Sequence, residues 1–327
     1  MKEPLRLLSG SRYTLGALLL LGIMAAIIWR IPQRTGASGG AAGQLAAAAR
    51  TPTIEAPTPT AVTPSDPLLA PAARGTWRPI FTDSFNGSAL DTAHWSACFW
   101  WSENAPNGCQ GSSANGELEW YLPENVSVHG GSLDLVARRD HITTESGAYN
   151  YTSGVITTTG KFAFQYGYVE ARIRVTPGAG VWPAVWMLPQ DHAPIAEIDI
   201  AEILGNRPQV LNTALHFIAG GVHQSVGGVY WGANFGAGYH IVAVDWEPNS
   251  ITWYEDGKLV YRVTQYAEIP HKPMYLLLDS AVGGYWSGNP TSATPFPNHF
   301  YVDWVQVWSH APAPTPTPTT PIIQNRR

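Results

Sequence analysis

Charge is what this sequence has least of. Asp, Glu, Lys and Arg make up 13% of its 327 residues, and 19 Lys and Arg face 24 Asp and Glu. A nucleic-acid backbone has to be met by clustered cations, so no nucleic-acid partner is expected. Cysteine is nearly absent: Cys98 and Cys109 stand close together in a Gly/Asn-rich stretch, in no Cys-x-x-Cys pair and with no His cluster. That argues against zinc. The pair reads as a disulfide, which would close a short loop and contribute about 3 kcal/mol in the chain-entropy account; the alternative is two unpaired buried thiols. A disulfide requires an oxidising compartment. Helical periodicity is missing as well. Beyond the N-terminal apolar run, no stretch of ordinary helix length is amphipathic at 3.6 residues, and no repeat of fixed period is present.

What is present divides the chain into four. Residues 1–30 hold an uncharged apolar run, Tyr13 to Trp29, preceded by Lys2, Arg6 and Arg12 and followed by Arg30 and Arg34. As a helix it would span roughly 26 Å, near the lower limit for a bilayer. With no sharp small-residue cleavage site, an uncleaved signal-anchor is favoured over a cleaved signal peptide. The leading cations place the N-terminus in the cytoplasm and the rest outside. Residues 31–75 are rich in Ala, Pro, Thr and Gly and read as a tether unable to bury a core. Residues 310–327 are a Pro/Thr-rich tail of the same kind. Residues 76–309 form one domain, expected to be monomeric.

Within that domain the period is two. Val169, Ala171, Ile173 and Val175 alternate with Glu170, Arg172 and Arg174; residues 211–218 alternate likewise. Residues 251–263 read as a hairpin about Asp256-Gly257, where a tight turn needs positive φ. Residues 300–308 are a further strand. Short strands with Gly/Pro/Asn punctuation mean a β-sandwich or jelly roll.

The segment IAEIDIAEILGN, residues 195–206, carries the chemistry. Glu197 and Asp199, two apart on a strand, share one face, with Ile198 and Ile200 on the other. Glu202 has the wrong parity for that face unless a β-bulge near Ala201 adds a residue. Three acids on one face repel when ionised, so at least one pKa must rise. Glycoside hydrolysis uses that asymmetry: one carboxylate attacks and one carboxyl donates a proton. The bland alternatives are a solvated strand face or a calcium site. Just upstream, Trp182 and Trp186 share a strand face where they could serve as a sugar platform or as core, and His216 lies on a strand expected to neighbour the acids.

These residues resemble glycoside hydrolase family 16, of the laminarinase-like, endo-β-1,3-glucanase branch. The signature Glu-x-Asp-x-x-Glu stands as Glu197, Asp199 and Glu202. NGELEWY from Asn115, YTSGVITTTGKFAFQYGYVEARI from Tyr151, WPAVWMLP from Trp182, ALHF from Ala214, WYEDGKLVY from Trp253 and PMYLLLDSAVGGYW from Pro273 follow in the same order. The resemblance covers essentially residues 81–308. It implies a concanavalin A-like jelly roll with a substrate cleft across its concave sheet, and a retaining endo-acting hydrolase of β-1,3 or mixed β-1,3-1,4 glucans. Glu197 would be the nucleophile, Glu202 the acid/base, and Asp199 their go-between. It implies further that Trp182, Trp186, His216, Asn115 and Trp286 bind the polysaccharide. Catalysis would need no cofactor, and Asp303 would ligate a structural calcium. Val155 and Tyr285 depart from the family pattern. The loop bearing Phe99, Trp100 and Trp101 lies outside it and would wall one end of the cleft. A transglycosylase, a hydrolase of another envelope β-glycan, and a non-catalytic glycan-binding module are the rival readings. One geometric tension remains: four regular strand steps put the Glu197 and Glu202 α-carbons roughly 13 Å apart, whereas retention asks for carboxyl groups about 5–5.5 Å apart.

Overall fold

The computed structural model describes residues 77–101, 115–193, 196–264 and 266–310. The expected membrane helix, the tether, the tail from 311 and Cys109 lie outside them. Among the described residues no helix is long and apolar enough to cross a membrane.

The described chain is all-β, relieved only by two 3₁₀ turns, Pro123–Asn125 and Tyr266–Glu268. An eight-stranded sheet holds β1 (Trp77–Asp83), β3 (Val126–His129), β4 (Ser132–Ala137), β9 (Gly167–Val175), β14 (His240–Glu247), β15 (Ser250–Glu255), β16 (Lys258–Val263) and β18 (Asn298–His310). A six-stranded sheet holds β8 (Val155–Thr157), β10 (Val181–Pro189), β11 (Ala196–Glu202), β12 (Val210–Ala219), β13 (Val222–Trp231) and β17 (Met274–Val282). Two small pairs complete the set: β2 (Glu119–Tyr121) with β7 (Tyr151–Ser153), and β5 (Ile142–Thr144) with β6 (Gly147–Tyr149). The first sheet runs β16-β15-β14-β9-β18-β4-β3 with β1 beside β18, and the second runs β13-β12-β11-β10-β17-β8.

Alternation decides which side chains lie between the sheets. Val169, Ala171, Ile173 and Val175 of β9 meet Val185 and Met187 of β10, Ile198 and Ile200 of β11, and Leu211 and Leu215 of β12 in one core. The expected hairpin joins β15 to β16, with Asp256 and Gly257 both at positive φ, 45° and 81°. The other faces of β10, β11 and β12 are thereby left to carry Trp182, Trp186, Glu197, Asp199, Glu202 and His216.

Candidate active site

The parity problem of Glu202 is solved by a bulge. Asp199 pairs with Ala214, and the next pairing, Glu202 with Asn212, spends three residues of β11 against two of β12. Ile200 and Ala201 both turn into the core, which brings Glu202 onto the face of Glu197 and Asp199. Two bonds hold the distortion. The Trp253 indole N–H, reaching through the core from β15, donates to the Asp199 carbonyl at 2.8 Å, and the Asn212 amide donates to the Glu202 carbonyl at 3.1 Å. The bulge thus uses backbone acceptors that a regular ladder would have paired.

His216, opposite Glu197 on β12, ties the acids together. Its Nε2 is 3.0 Å from Asp199 Oδ2 and 4.0 Å from Glu197 Oε1. Its Nδ1 lies 2.9 Å from His223 Nε2, with the two rings parallel and 5.1 Å apart. Burial alone would lower the His216 pKa. The Asp199 bond and charge, with Glu197 and Glu202 behind them, override it and raise it to about 10. Burial and the charge on His216 push His223 down. At neutral pH His216 is therefore an imidazolium, ion-paired with Asp199 and donating to a neutral His223. Ligand atoms of Glu197, Asp199 and His216 lie within 4.8 Å of one another.

Both glutamates are driven towards the protonated form. Burial, then Asp199, raises Glu197 to about 8 against the pull of His216. Burial and Asp199 raise Glu202 well above the carboxylate range, with Glu197 adding to it, His216 opposing, and the Trp182 N–H opposing weakly. Glu202 is thus the more strongly held in its protonated form and Glu197, the glutamate in reach of His216, is the one nearer to ionisation, an asymmetry of the kind acid-assisted displacement uses.

The remaining expected binding residues border this face. Trp182 stands edge-on to half-exposed Trp286, with centroids 4.9 Å apart. Asn115 lies beside them: its carbonyl accepts the Tyr285 N–H at 2.8 Å, and its amide donates to Glu117 at 3.2 Å. Phe99 packs edge-on to Trp186 and to Tyr121, Trp101 stacks on Phe99 at 4.3 Å, and Trp100 stacks on His192 at 3.8 Å. This loop covers Val155 of β8 and Tyr275 and Leu277 of β17, so it borders the carboxylate face on the β8 side.

Asp303, the expected calcium ligand, has a cationic partner. It occupies a bulge in β18 between Val302 and Trp304, and its carboxylate is ion-paired with Arg172, whose guanidinium also covers the Tyr239 ring. A calcium at this carboxylate would have to displace Arg172 and draw its other oxygens from the backbone.

Sequence reasoning passed over Asp279, a lone acid in the apolar run of β17. Its Oδ1 accepts the Trp186 indole N–H at 2.7 Å and its Oδ2 accepts the Tyr121 hydroxyl at 2.8 Å. It therefore fixes the plane of the Trp186 ring. Burial raises its pKa to about 6 against those two bonds, with Asp199 adding to the rise. The folded-state value lies above the unfolded one of about 3.9. The group's stabilising contribution is thus complete below about pH 4 and is lost as pH rises through about 6. Asp279→Asn keeps an acceptor for Trp186 and carries no charge. It is expected to stabilise the domain by up to about 3 kcal/mol near pH 7.5 and to leave it nearly unchanged near pH 4. Thermal melts at both pH values check this; equal shifts at the two would contradict it.

Comparison with known proteins agrees with this geometry. The family described as "Glycosyl hydrolases family 16" matches residues 118–306. A second family, described as "Beta-glucan synthesis-associated protein SKN1/KRE6/Sbg1", matches residues 12–192. Glucan endo-1,3-beta-glucosidase A1 of Niallia circulans is 36% identical over 75% of this chain and 39% of its own length. Endo-1,3-1,4-beta-glycanase ExsH of Rhizobium meliloti is 32% identical over 70% of this chain and 51% of its own. The chain thus spans about half the length, or less, of these relatives. The X-ray structure of endo-beta-1,3-glucanase from Pyrococcus furiosus superposes with a TM-score of 0.64 at 34% identity, covering 72% of this chain and 96% of that one. Fold, carboxylate geometry and sequence agree, and the chain belongs to glycosyl hydrolase family 16.

Proposed function

We propose that residues 76–309 are a retaining, endo-acting hydrolase of β-1,3 or mixed β-1,3-1,4 glucans. The observation that carries this reading is the bulge that puts Glu197, Asp199 and Glu202 on one face with His216. Glu197 attacks the anomeric carbon of a bound glucosyl unit, and the bond from that carbon to the glycosidic oxygen breaks. Glu202 gives its proton to the departing oxygen. A water molecule then attacks the same carbon, gives its proton to Glu202, and releases Glu197. Two displacements restore the starting configuration. Asp199, paired with His216, sits between the two glutamates and steadies the proton on whichever carries it. Trp182 and Trp186 offer flat apolar faces to the sugar rings, and an open sheet face favours attack within a chain over attack at its end.

In this reading residues 1–30 anchor the chain in a membrane, 31–75 tether the domain outside the cytoplasm, and 310–327 continue as a second linker. A bridge between Cys98 and Cys109 would close the aromatic loop in that oxidising setting; among the described residues no cysteine is free. A second reading, transglycosylation in β-glucan assembly, is favoured by the match of residues 12–192 to a family of synthesis-associated proteins. It uses the same residues, with a sugar hydroxyl in place of water.

The test is a panel of laminarin, mixed-linkage β-glucan, xyloglucan, agarose and carrageenan, with products sized over time. Shorter oligosaccharides from laminarin or mixed-linkage glucan alone are the expected result. Products longer than an oligosaccharide acceptor would favour the second reading, and no cleavage of either glucan would overturn the substrate assignment.

A further inference from the structure

We infer that Trp231 and Val229, on the edge strand β13, form a distal sugar subsite that takes the glucan chain where it leaves the carboxylate pair. This deepens the hydrolase reading and rests on it.

The strand registers lay three rows across β11, β12 and β13. Glu197, His216 and Ser225 make one; Asp199, Ala214 and Gly227 the next; Glu202, Asn212 and Val229 the third. The outer rows carry larger side chains, whereas the middle row beyond Asp199 carries only a methyl group and a hydrogen. It is therefore a trough between two walls, and it starts at the midpoint of the carboxylate pair. The bareness of its far end is enforced, because a Cβ on Gly227 would come within 2.0 Å of the Thr213 carbonyl oxygen. A chain held with its scissile bond between Glu197 and Glu202 can run along this trough over Ala214 and Gly227.

The trough ends beside an unusual edge. Val226 and Tyr230 of β13 pack on the core, and a Cβ on Gly228 would meet the Tyr261 side chain at 2.9 Å. The alternate residues, Ser225, Gly227, Val229 and Trp231, therefore belong to the carboxylate face. Val229 is 69% exposed and Trp231 65% exposed. Val229 lies two strand spacings, roughly 10 Å, from Glu202, and Trp231 about 7 Å further along β13. A large apolar pair bared on an edge strand invites aggregation unless it has a use. Their place supplies one: Val229 ends the trough's wall at that edge and Trp231 stands one same-face position beyond it, where the indole offers a flat face to a sugar ring a few units from the cleaved bond.

The test compares kcat/KM for a β-1,3-linked trimer and heptamer in the parent protein, Trp231→Ala, Trp231→Phe, and the control Leu259→Ala on exposed β16. The heptamer-to-trimer ratio is expected to fall roughly tenfold in Trp231→Ala, about 1.4 kcal/mol, and to be largely retained in Trp231→Phe and Leu259→Ala. An unchanged ratio in Trp231→Ala, or an equal loss on both substrates, would overturn the subsite while leaving the hydrolase reading intact. A parent that elutes as a dimer, made monomeric by Trp231→Ala, would assign the face to a second copy of the chain. A parent that cleaves neither oligosaccharide would remove the β-1,3-glucan reading, and the subsite for such a chain with it.

Discussion

Glu197→Ala is expected to lose on the order of 10⁴-fold or more in kcat on β-glucan, and to regain turnover when azide is added. With the carboxylate gone, azide occupies its space and attacks the anomeric carbon from the same side, while Glu202 still protonates the leaving oxygen. One displacement replaces two, so the product is the α-glycosyl azide. Rescue with this inverted configuration belongs to the nucleophile alone. Failure to fold cannot imitate it, because an unfolded protein has nothing for azide to rescue. Azide-independent turnover within about tenfold of the parent would remove Glu197 from the reaction.

Glu202→Ala has a different signature. On polysaccharide, where the departing hydroxyl needs a proton, kcat/KM is expected to fall about 10²–10⁴-fold. On a β-glucoside with an acidic phenol as leaving group, the first step needs little protonation and should be far less impaired. Azide should then intercept the glycosyl-enzyme on Glu197 and give the β-glycosyl azide, the opposite anomer from the first variant. The parent's pH profile should carry the same information. Burial and Asp199 hold Glu202 well above the ordinary carboxylate range, so activity should persist to higher pH than a free carboxyl allows and fall as Glu202 gives up its proton. Loss of the alkaline limb in Glu202→Ala, measured with the phenolic substrate, links that limb to this residue. Equal impairment on both substrates would contradict the assignment.

The parts legible in the sequence are those where one strand face meets the core and the other does not. The alternation in 169–175 and the parity mismatch between Glu197 and Glu202 are properties of single strands, so the core face of β9 and the bulge in β11 could be read without a partner. Where both faces are covered, the code disappears. All nine residues of β17 are buried, because Phe99 and Tyr121, distant in sequence, cover the side away from the core. Asp279 was therefore hidden in an apolar run, although a lone carboxylate there was the signal to follow. His223 depends on the hairpin between β12 and β13. Gly220 and Gly221, both at positive φ, make a two-residue turn that folds His223 back beside His216, and that glycine pair was the available cue. The partner of Asp303 was illegible for a simpler reason, since Arg172 reaches it from another strand 131 residues away in the chain.

The central claim is that Glu197 forms a covalent bond to the sugar. A β-glucosyl-β-1,3-glucosyl fluoride with fluorine at position 2 of the reacting ring should form the glycosyl-enzyme quickly and hydrolyse it slowly. Intact mass after incubation is expected to show one added disaccharide, and fragmentation should place it on Glu197 within the β11 peptide. No adduct under conditions where the protein cleaves glucan, or an adduct on Glu202 or Asp199, would contradict the account.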